Sequence, residues 1–194
     1  MNIANRLTLF RMGCIPVFVL LLTLNIDLGE ITLWNQTLPC IDFIAGLLFA
    51  IASFTDYLDG YLARKYHLIT QFGIFFDPMA DKLLVIAALV LLVARGDLSA
   101  WICIIIVSRE LLVTGLRVLL AQQNGRVLAA AWPGKVKTFT QMFAILFYLW
   151  HDLGFHFLPF SMAKLLIYLC LIFTIYSGID YFWKGRSVFS NTIQ

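Results

Sequence analysis

Apolar residues gather into long runs, at 7–28, 38–57, 77–94, 98–121, 138–150 and 160–183, with short polar stretches between them. A run such as 38–57 is long enough, as a helix, to cross a hydrocarbon core of about 30 Å. The pattern predicts an all-α polytopic membrane protein, a six-transmembrane-helix bundle forming one domain over residues 1–194. The breaks have distinct characters. Residues 35–39 read as a short external loop after Asp27 and Glu30, and 65–72 as a turn. Arg95, Gly96 and Asp97 end the third span, and 151–159 turns outside. The stretch 122–137 carries Arg126, Lys135 and Lys137 with Pro133 and Gly134, a basic connection that cannot be membrane helix throughout. No internal repeat, low-complexity segment or linker divides the chain.

Composition agrees and adds orientation. Hydrophobic residues make up 61% of the 194, against about 45 to 50% in an average soluble domain, and the mean hydropathy is +0.89. The net charge of +3 is too small to suggest nucleic acid as a partner. Where the cations lie matters more: Arg6, Arg11, Arg64, Lys65, Arg126, Lys135, Lys137, Lys184 and Arg186 fall at one set of ends, against Arg95 and Lys164 at the other. That bias places the first set, and both termini, in the cytoplasm. Cys14, Cys40, Cys103 and Cys170 show no metal spacing and read as reduced packing residues. His67, His151 and His156 lie in polar connections, form no ligand pair and suit surface roles. The first apolar run lacks an A-x-A-like cleavage site and reads as a retained helix.

The chemistry concentrates between two apolar runs. If 41–64 is helical, Asp56 and Asp59 lie one turn apart on one face, and Gly60 and Ala63 continue that face with almost no side chain. Asp77 and Asp81, spaced i,i+4, share a face of the helix that begins at Phe76, with Pro78 in its first turn. Chain reversal at 65–72 makes the two helices antiparallel neighbours and brings both acid pairs to one depth. So much negative charge in a partly desolvated site needs compensation. All-oxygen carboxylate sites select hard ions, Mg²⁺, Mn²⁺ or Ca²⁺, and two such ions can be bridged by shared carboxylates around a phosphate. Ion pairs with Arg64, Lys65 and Lys82, or a solvated helix end, would account for single acids; they do not account for four in register with small residues. In the fourth span Arg109, Glu110 and Arg117 are costly in lipid and belong toward a bundle interior. Arg109 and Glu110 are sequence neighbours that cannot face each other, so each requires its own partner: for Glu110 a cation of another helix, for Arg109 and Arg117 an anion, with Lys135 and Lys137 at the same end.

The run D-x-x-D-G-x-x-A-R, eight residues, then G-x-x-x-D-x-x-x-D, from Asp56 to Asp81, resembles the signature of the CDP-alcohol phosphotransferases in every fixed position. The resemblance implies two divalent cations, Mg²⁺ or Mn²⁺, on Asp56, Asp59, Asp77 and Asp81, with Asp81 as general base. It further implies a CDP-diacylglycerol site that includes Asn5, Thr8, Asp59, Gly60, Ala63, Arg64 and Gly73. The pattern Asn5, Thr8, Arg11 and Pro16, the stretch S-R-E-L-L-V-T-G-L-R over 108–117, and G-K-V-K-T over 134–138 with Gln141 are similar to the phosphatidylglycerophosphate synthase branch. That branch implies glycerol 3-phosphate as acceptor, its phosphate on Arg109, Arg117, Lys135 and Lys137, in phospholipid biosynthesis. Other acceptors within the family are inositol phosphate, serine and phosphatidylglycerol. A reading of another class, a divalent-cation transporter, fits less well, because transporter ion sites lie near the midplane between repeated halves. The expected partners are the two substrates and membrane lipids, the expected assembly a homodimer, and the expected location a bacterial cytoplasmic membrane with the site facing the cytoplasm.

Overall fold

The computed structural model describes residues 3–24, 26–34, 36–65, 71–124, 132–155 and 157–184, and the side chains of these other than 3–6, 56–78, 80, 81, 117–124 and 184. Expectations for 66–70, 125–131, His67, Arg126 and His156 lie outside the described residues. Among the described residues there are six helices: α1 (Ile3–Thr23), α2 (Cys40–Lys65), α3 (Gln71–Ala94), α4 (Ala100–Asn124), α5 (Trp132–Leu149) and α6 (Met162–Lys184). Of these, the stretch Met162–Trp183 is long and apolar enough to cross a membrane on its own, and Leu7–Thr23, Cys40–Thr55 and Lys82–Ala94 are shorter apolar stretches.

The helical assignment holds, with three corrections. Between α1 and α2 the chain forms an antiparallel hairpin, β1 (Glu30–Leu33) and β2 (Gln36–Pro39), where a plain loop was expected. Alternating Ile, Thr and Leu suit a strand, and the reversal after Leu33 passes through Trp34 at a positive φ of 48°. Next, α3 begins at Gln71, not Phe76. Pro78 therefore stands beyond the first turn, where its missing N–H deprives the Ile74 carbonyl of a helical donor. Finally, α5 begins at Trp132 and takes in Lys135 and Lys137, because Pro133 falls in the first turn, where its missing N–H is harmless.

Helix α1 packs on α2 and α3, α4 on α6 and α3, and α5 on α6, α2 and α3. The shared core holds Phe18, Phe49, Leu89, Ile106, Ile145 and Ile167. Ala45, Ala52, Ala88 and Ala144, all buried, let backbones approach closely. Polar groups are buried too: Thr8, Arg11, Asp42, Lys137, Gln141, Thr174 and Ser177. Large apolar side chains instead cover the outside, with Ile104, Ile179 and Trp183 exposed at 63%, 63% and 70%. An apolar core that also encloses charged and hydroxyl groups, under an outer surface as apolar as itself, is not what water selects.

One end of the bundle is tied by Asp42, in the first turn of α2. Arg95, just past α3, donates from Nη1 to Asp42 Oδ1 and from Nη2 to Oδ2, both at 2.6 Å. His151 Nε2 lies 2.9 Å from Oδ2, so this histidine, expected to serve only the surface, joins α5 to the pair. The hydrogen bond to Asp42 raises the pKa of the Arg95 guanidinium. Gln36 of the hairpin donates to the His151 carbonyl at 2.6 Å. Next to this knot, Trp150 donates from its indole to the Phe43 carbonyl at 3.3 Å and stacks on the Phe43 ring. An apolar cavity of about 380 Å³ opens beside it, between the hairpin and α5, lined by Trp34, Phe43, Phe147 and Trp150 among others.

The Trp150 indole occupies the space beside Gly46, where an added Cβ would come within 2.7 Å of Cδ1. Gly46→Ala should therefore destabilise the protein by about 1 to 3 kcal/mol, whereas Gly13→Ala, with nothing within 4 Å of the new methyl, should be neutral or stabilising by up to about 1 kcal/mol. Unfolding of the two variants in detergent, followed by circular dichroism, checks the difference; equal stabilities would show that the ring moves aside freely.

Candidate active site

The acids stand on two helices that touch. Asp56, Asp59, Gly60, Ala63 and Arg64 lie on the last turns of α2, and Gly73, Asp77 and Asp81 on the first turns of α3. By position Asp56, Asp59, Gly60 and Ala63 share one face of α2, at spacings of three, four and seven. Asp77 and Asp81 share one face of α3. The side chains of all eight residues, and of Asn5 and Arg117, are outside the described set. Among the described side chains no three His, Cys, Asp or Glu gather as metal ligands. The donor set on α2 and α3 fits a hard divalent cation: four carboxylates, two per helix, on neighbouring elements with only residues 66–70 between them.

Beside this set the structure describes a polar cluster that joins four helices. Lys82, the residue after Asp81, donates to Thr114 Oγ1, and that hydroxyl donates to the Glu110 carbonyl at 2.7 Å. The Glu110 carboxylate gathers two cations on one oxygen, Lys137 Nζ at 2.6 Å and Arg109 Nη1 at 2.9 Å. Arg109 Nη2 donates to Ser177 Oγ at 2.8 Å, and its guanidinium lies 5.6 Å from the Tyr181 ring centroid. The helix α3 that carries Asp77 and Asp81 is thus linked through α4 to α5 and α6.

This geometry corrects the expectation that Arg109 and Glu110 cannot meet. Backbone spacing separates their Cβ atoms, but the arginine side chain is long enough to fold back onto its neighbour, and burial rewards it for doing so. The expected partner for Glu110 from another helix is present as Lys137, whose side chain is only 3% exposed. Of the four cations expected at the acceptor's phosphate, Arg109 and Lys137 are brought together, Lys135 is exposed, and the Arg117 side chain is outside the described set. Lys135 and Lys137 are two positions apart on α5 and so point to different sides.

Three residues carry more than their sequence positions suggested. Arg11 was read as a marker of orientation; it is fully buried, and its Nε donates to the Ala52 carbonyl of α2 at 3.4 Å, one turn before Asp56. Thr8, one turn earlier on α1, is also fully buried. The signal was available, since an arginine within an apolar run must find partners inside the bundle. Gln141 is 3% exposed, with Nε2 lacking a partner among the described residues. It lines a cavity of about 30 Å³ with Lys82, Glu110 and Lys137, room for a water molecule but not for a substrate.

The chain resembles known proteins over most of its length. A family model described as CDP-alcohol phosphatidyltransferase matches residues 1–176. The CDP-diacylglycerol–glycerol-3-phosphate 3-phosphatidyltransferase of Bacillus subtilis is 44% identical over 184 residues, covering 95% of both chains. Proteins of the same name from Haemophilus influenzae and Rickettsia bellii are 39% and 36% identical, covering 100% and 97% of this chain and 98% and 97% of their own. With the family model spanning nearly the whole sequence and relatives of this identity end to end, the chain belongs to the CDP-alcohol phosphatidyltransferase family.

Proposed function

We propose that this protein transfers the phosphatidyl group of CDP-diacylglycerol to glycerol 3-phosphate, giving phosphatidylglycerophosphate and CMP. The observation that carries the reading is the link between acids and cations: Lys82, next to Asp81, reaches α4 one turn from Glu110, where Arg109 and Lys137 meet. The names of the similar proteins from three bacteria support the same donor and acceptor. Among the described side chains Arg109 and Lys137 share one carboxylate, a local excess of positive charge that suits an acceptor carrying a phosphate.

In this reading Asp56, Asp59, Asp77 and Asp81 hold two divalent cations, Mg²⁺ or Mn²⁺. When bound, these ions neutralise and polarise the diphosphate oxygens. Asn5, Thr8, Gly60, Ala63 and Gly73 shape the donor site, and Arg64 meets phosphate charge. Asp81 takes the proton of the free primary hydroxyl of glycerol 3-phosphate; its oxygen attacks the phosphorus attached to diacylglycerol, and the bond to CMP breaks. Arg109, Arg117 and Lys137 receive the acceptor's phosphate, with Glu110 holding Arg109 and Lys137 in place beforehand; Lys135, exposed on another side of α5, is set apart from them. The chain acts as one domain with six membrane spans in a bacterial cytoplasmic membrane, the acids at the cytoplasmic face and a homodimer as the assembly. The apolar outer surface and the arginine and lysine bias support that placement.

Purified protein given CDP-diacylglycerol, glycerol 3-phosphate and Mg²⁺ should release CMP, and excess EDTA should abolish the release; undiminished turnover in EDTA would rule out the metal reading. Asp81→Asn should lower kcat by roughly a thousandfold or more while donor binding remains measurable.

Arg117→Ala should raise the KM for glycerol 3-phosphate by roughly ten- to a hundredfold with little change for the donor, and a panel with serine and inositol phosphate tests the acceptor directly. Preference for either of those would overturn the acceptor while leaving the family intact.

Glu110→Gln strips Lys137 of its carboxylate inside the bundle and should cost about 3 kcal/mol or more, read from the unfolding midpoint. An unchanged midpoint would mean that Lys137 reaches water.

A further inference from the structure

We propose that Asp42 and Arg95 are positioning residues for the transfer reaction, setting the register in which α2 and α3 present their acids to each other. The inference rests on the reading of Asp56, Asp59, Asp77 and Asp81 as one metal-holding set, and it starts from the far end of those helices. Asp42 stands in the first turn of α2 and Arg95 follows the last residue of α3, yet the two are joined by two hydrogen bonds of 2.6 Å. The beginning of one helix is thus fixed to the end of the next, with residues 66–70 between them in sequence, so the helices run antiparallel. The Arg95 N–H still donates to the Leu91 carbonyl at 3.0 Å, which carries the helical ladder of α3 up to the pair.

From this fixed point the two arms match. Positions 42 to 56 and 81 to 95 are fourteen residues each, a rise of about 21 Å on both helices. Asp56 and Asp81 therefore stand at the same height. Asp59 and Asp77 lie at seventeen and eighteen residues from the pair, which differ in height by about 1.5 Å. Fourteen residues fall about 40° short of four turns, so Asp56 and Asp81 return to nearly the side of the helix that carries the pair; Asp77, at eighteen residues, returns to it fully, and Asp59, at seventeen, stands about 100° round α2. Neither fourteen-residue arm contains a proline, 42–56 and 81–94 are unbroken helix, and Pro78 falls only on the further step from Asp81 to Asp77.

The contact has the stiffness that a register device needs. A forked, two-point arginine–carboxylate pair fixes distance and orientation together, which a single ammonium contact does not. The Asp42 side chain is 3% exposed, so water competes poorly for it. His151 contacts the same carboxylate, and Asp97 Oδ2 lies 3.3 Å from Arg95 Nε. Sliding α3 by one residue would displace Arg95 by about 1.5 Å and 100°, breaking both bonds, and would mismatch both acid pairs by the same step.

The test separates register from mere stability. Spin labels at Phe54→Cys on α2 and Met79→Cys on α3, both exposed positions beside the acids, report their distance by pulsed electron resonance. A Cys40→Ser background serves, since the other three thiols are buried. Arg95→Gln should shift or broaden that distance by about 3 Å, two helical rises. It should also raise the Mg²⁺ concentration for half-maximal turnover by tenfold or more, with the KM for the acceptor little changed. Arg95→Lys, which keeps the charge and will fold where the glutamine variant does not, should recover part of both effects. An unaltered distance and unaltered Mg²⁺ dependence in Arg95→Gln or Arg95→Lys, with only a lower unfolding midpoint, would overturn the proposal. If the parent shows no phosphatidyl transfer, the proposed function falls, and the label distance alone still decides whether the pair sets the register.

Discussion

A charged group enclosed by helices whose outer surfaces are apolar has no water to fall back on, so it keeps its charge only where another charge or an oriented dipole meets it. Much of the architecture follows from that constraint. Asp42 draws Arg95 and His151 to one end of the bundle, and Glu110 draws Arg109 and Lys137 toward the other. Hydrophobic burial alone gives little preference for one arrangement of helices with apolar sides over another. Paired charges do, because a misplaced helix leaves them unpaired.

The two knots tie different sets of helices. The pair at Asp42 and Arg95 joins α2 to α3 across positions far apart in sequence, and the cluster at Glu110 joins α4, α5 and α6. Lys82 connects the second knot to α3. The acid motif lies where α2 and α3, already tied at one end, meet a group of cations held by three other helices. Phosphoryl transfer asks for little covalent chemistry from a protein and much fixed charge in fixed places. A bundle tied by ion pairs is well suited to supply it.

What could be read from the sequence was local. Spacings of three and four placed Asp56, Asp59, Gly60 and Ala63 on one helix, and α2 does extend through all of them. The cost of burying Glu110 demanded a cation from another helix, and Lys137 is that cation. Helix starts were read less well, because Pro78 and Pro133 were each taken as marks of a boundary, and only position within the helix tells whether a proline begins it or merely interrupts its bonding. The Asp42 knot was not legible at all. Asp42 sits inside an apolar run, Arg95 looked like an exception to a charge bias, and nothing in one dimension says that residues 53 positions apart will share two hydrogen bonds.

Gly46 and Trp150 carry a consequence of another kind. The indole fills the volume that any other residue at position 46 would claim, and its N–H is held by the Phe43 carbonyl of the same helix. The two positions therefore divide one space between two helices, and neither can be enlarged alone. Over evolutionary time they are free to change only as a pair, so that among descendants of this chain a larger residue at 46 and a smaller one at 150 should be inherited together.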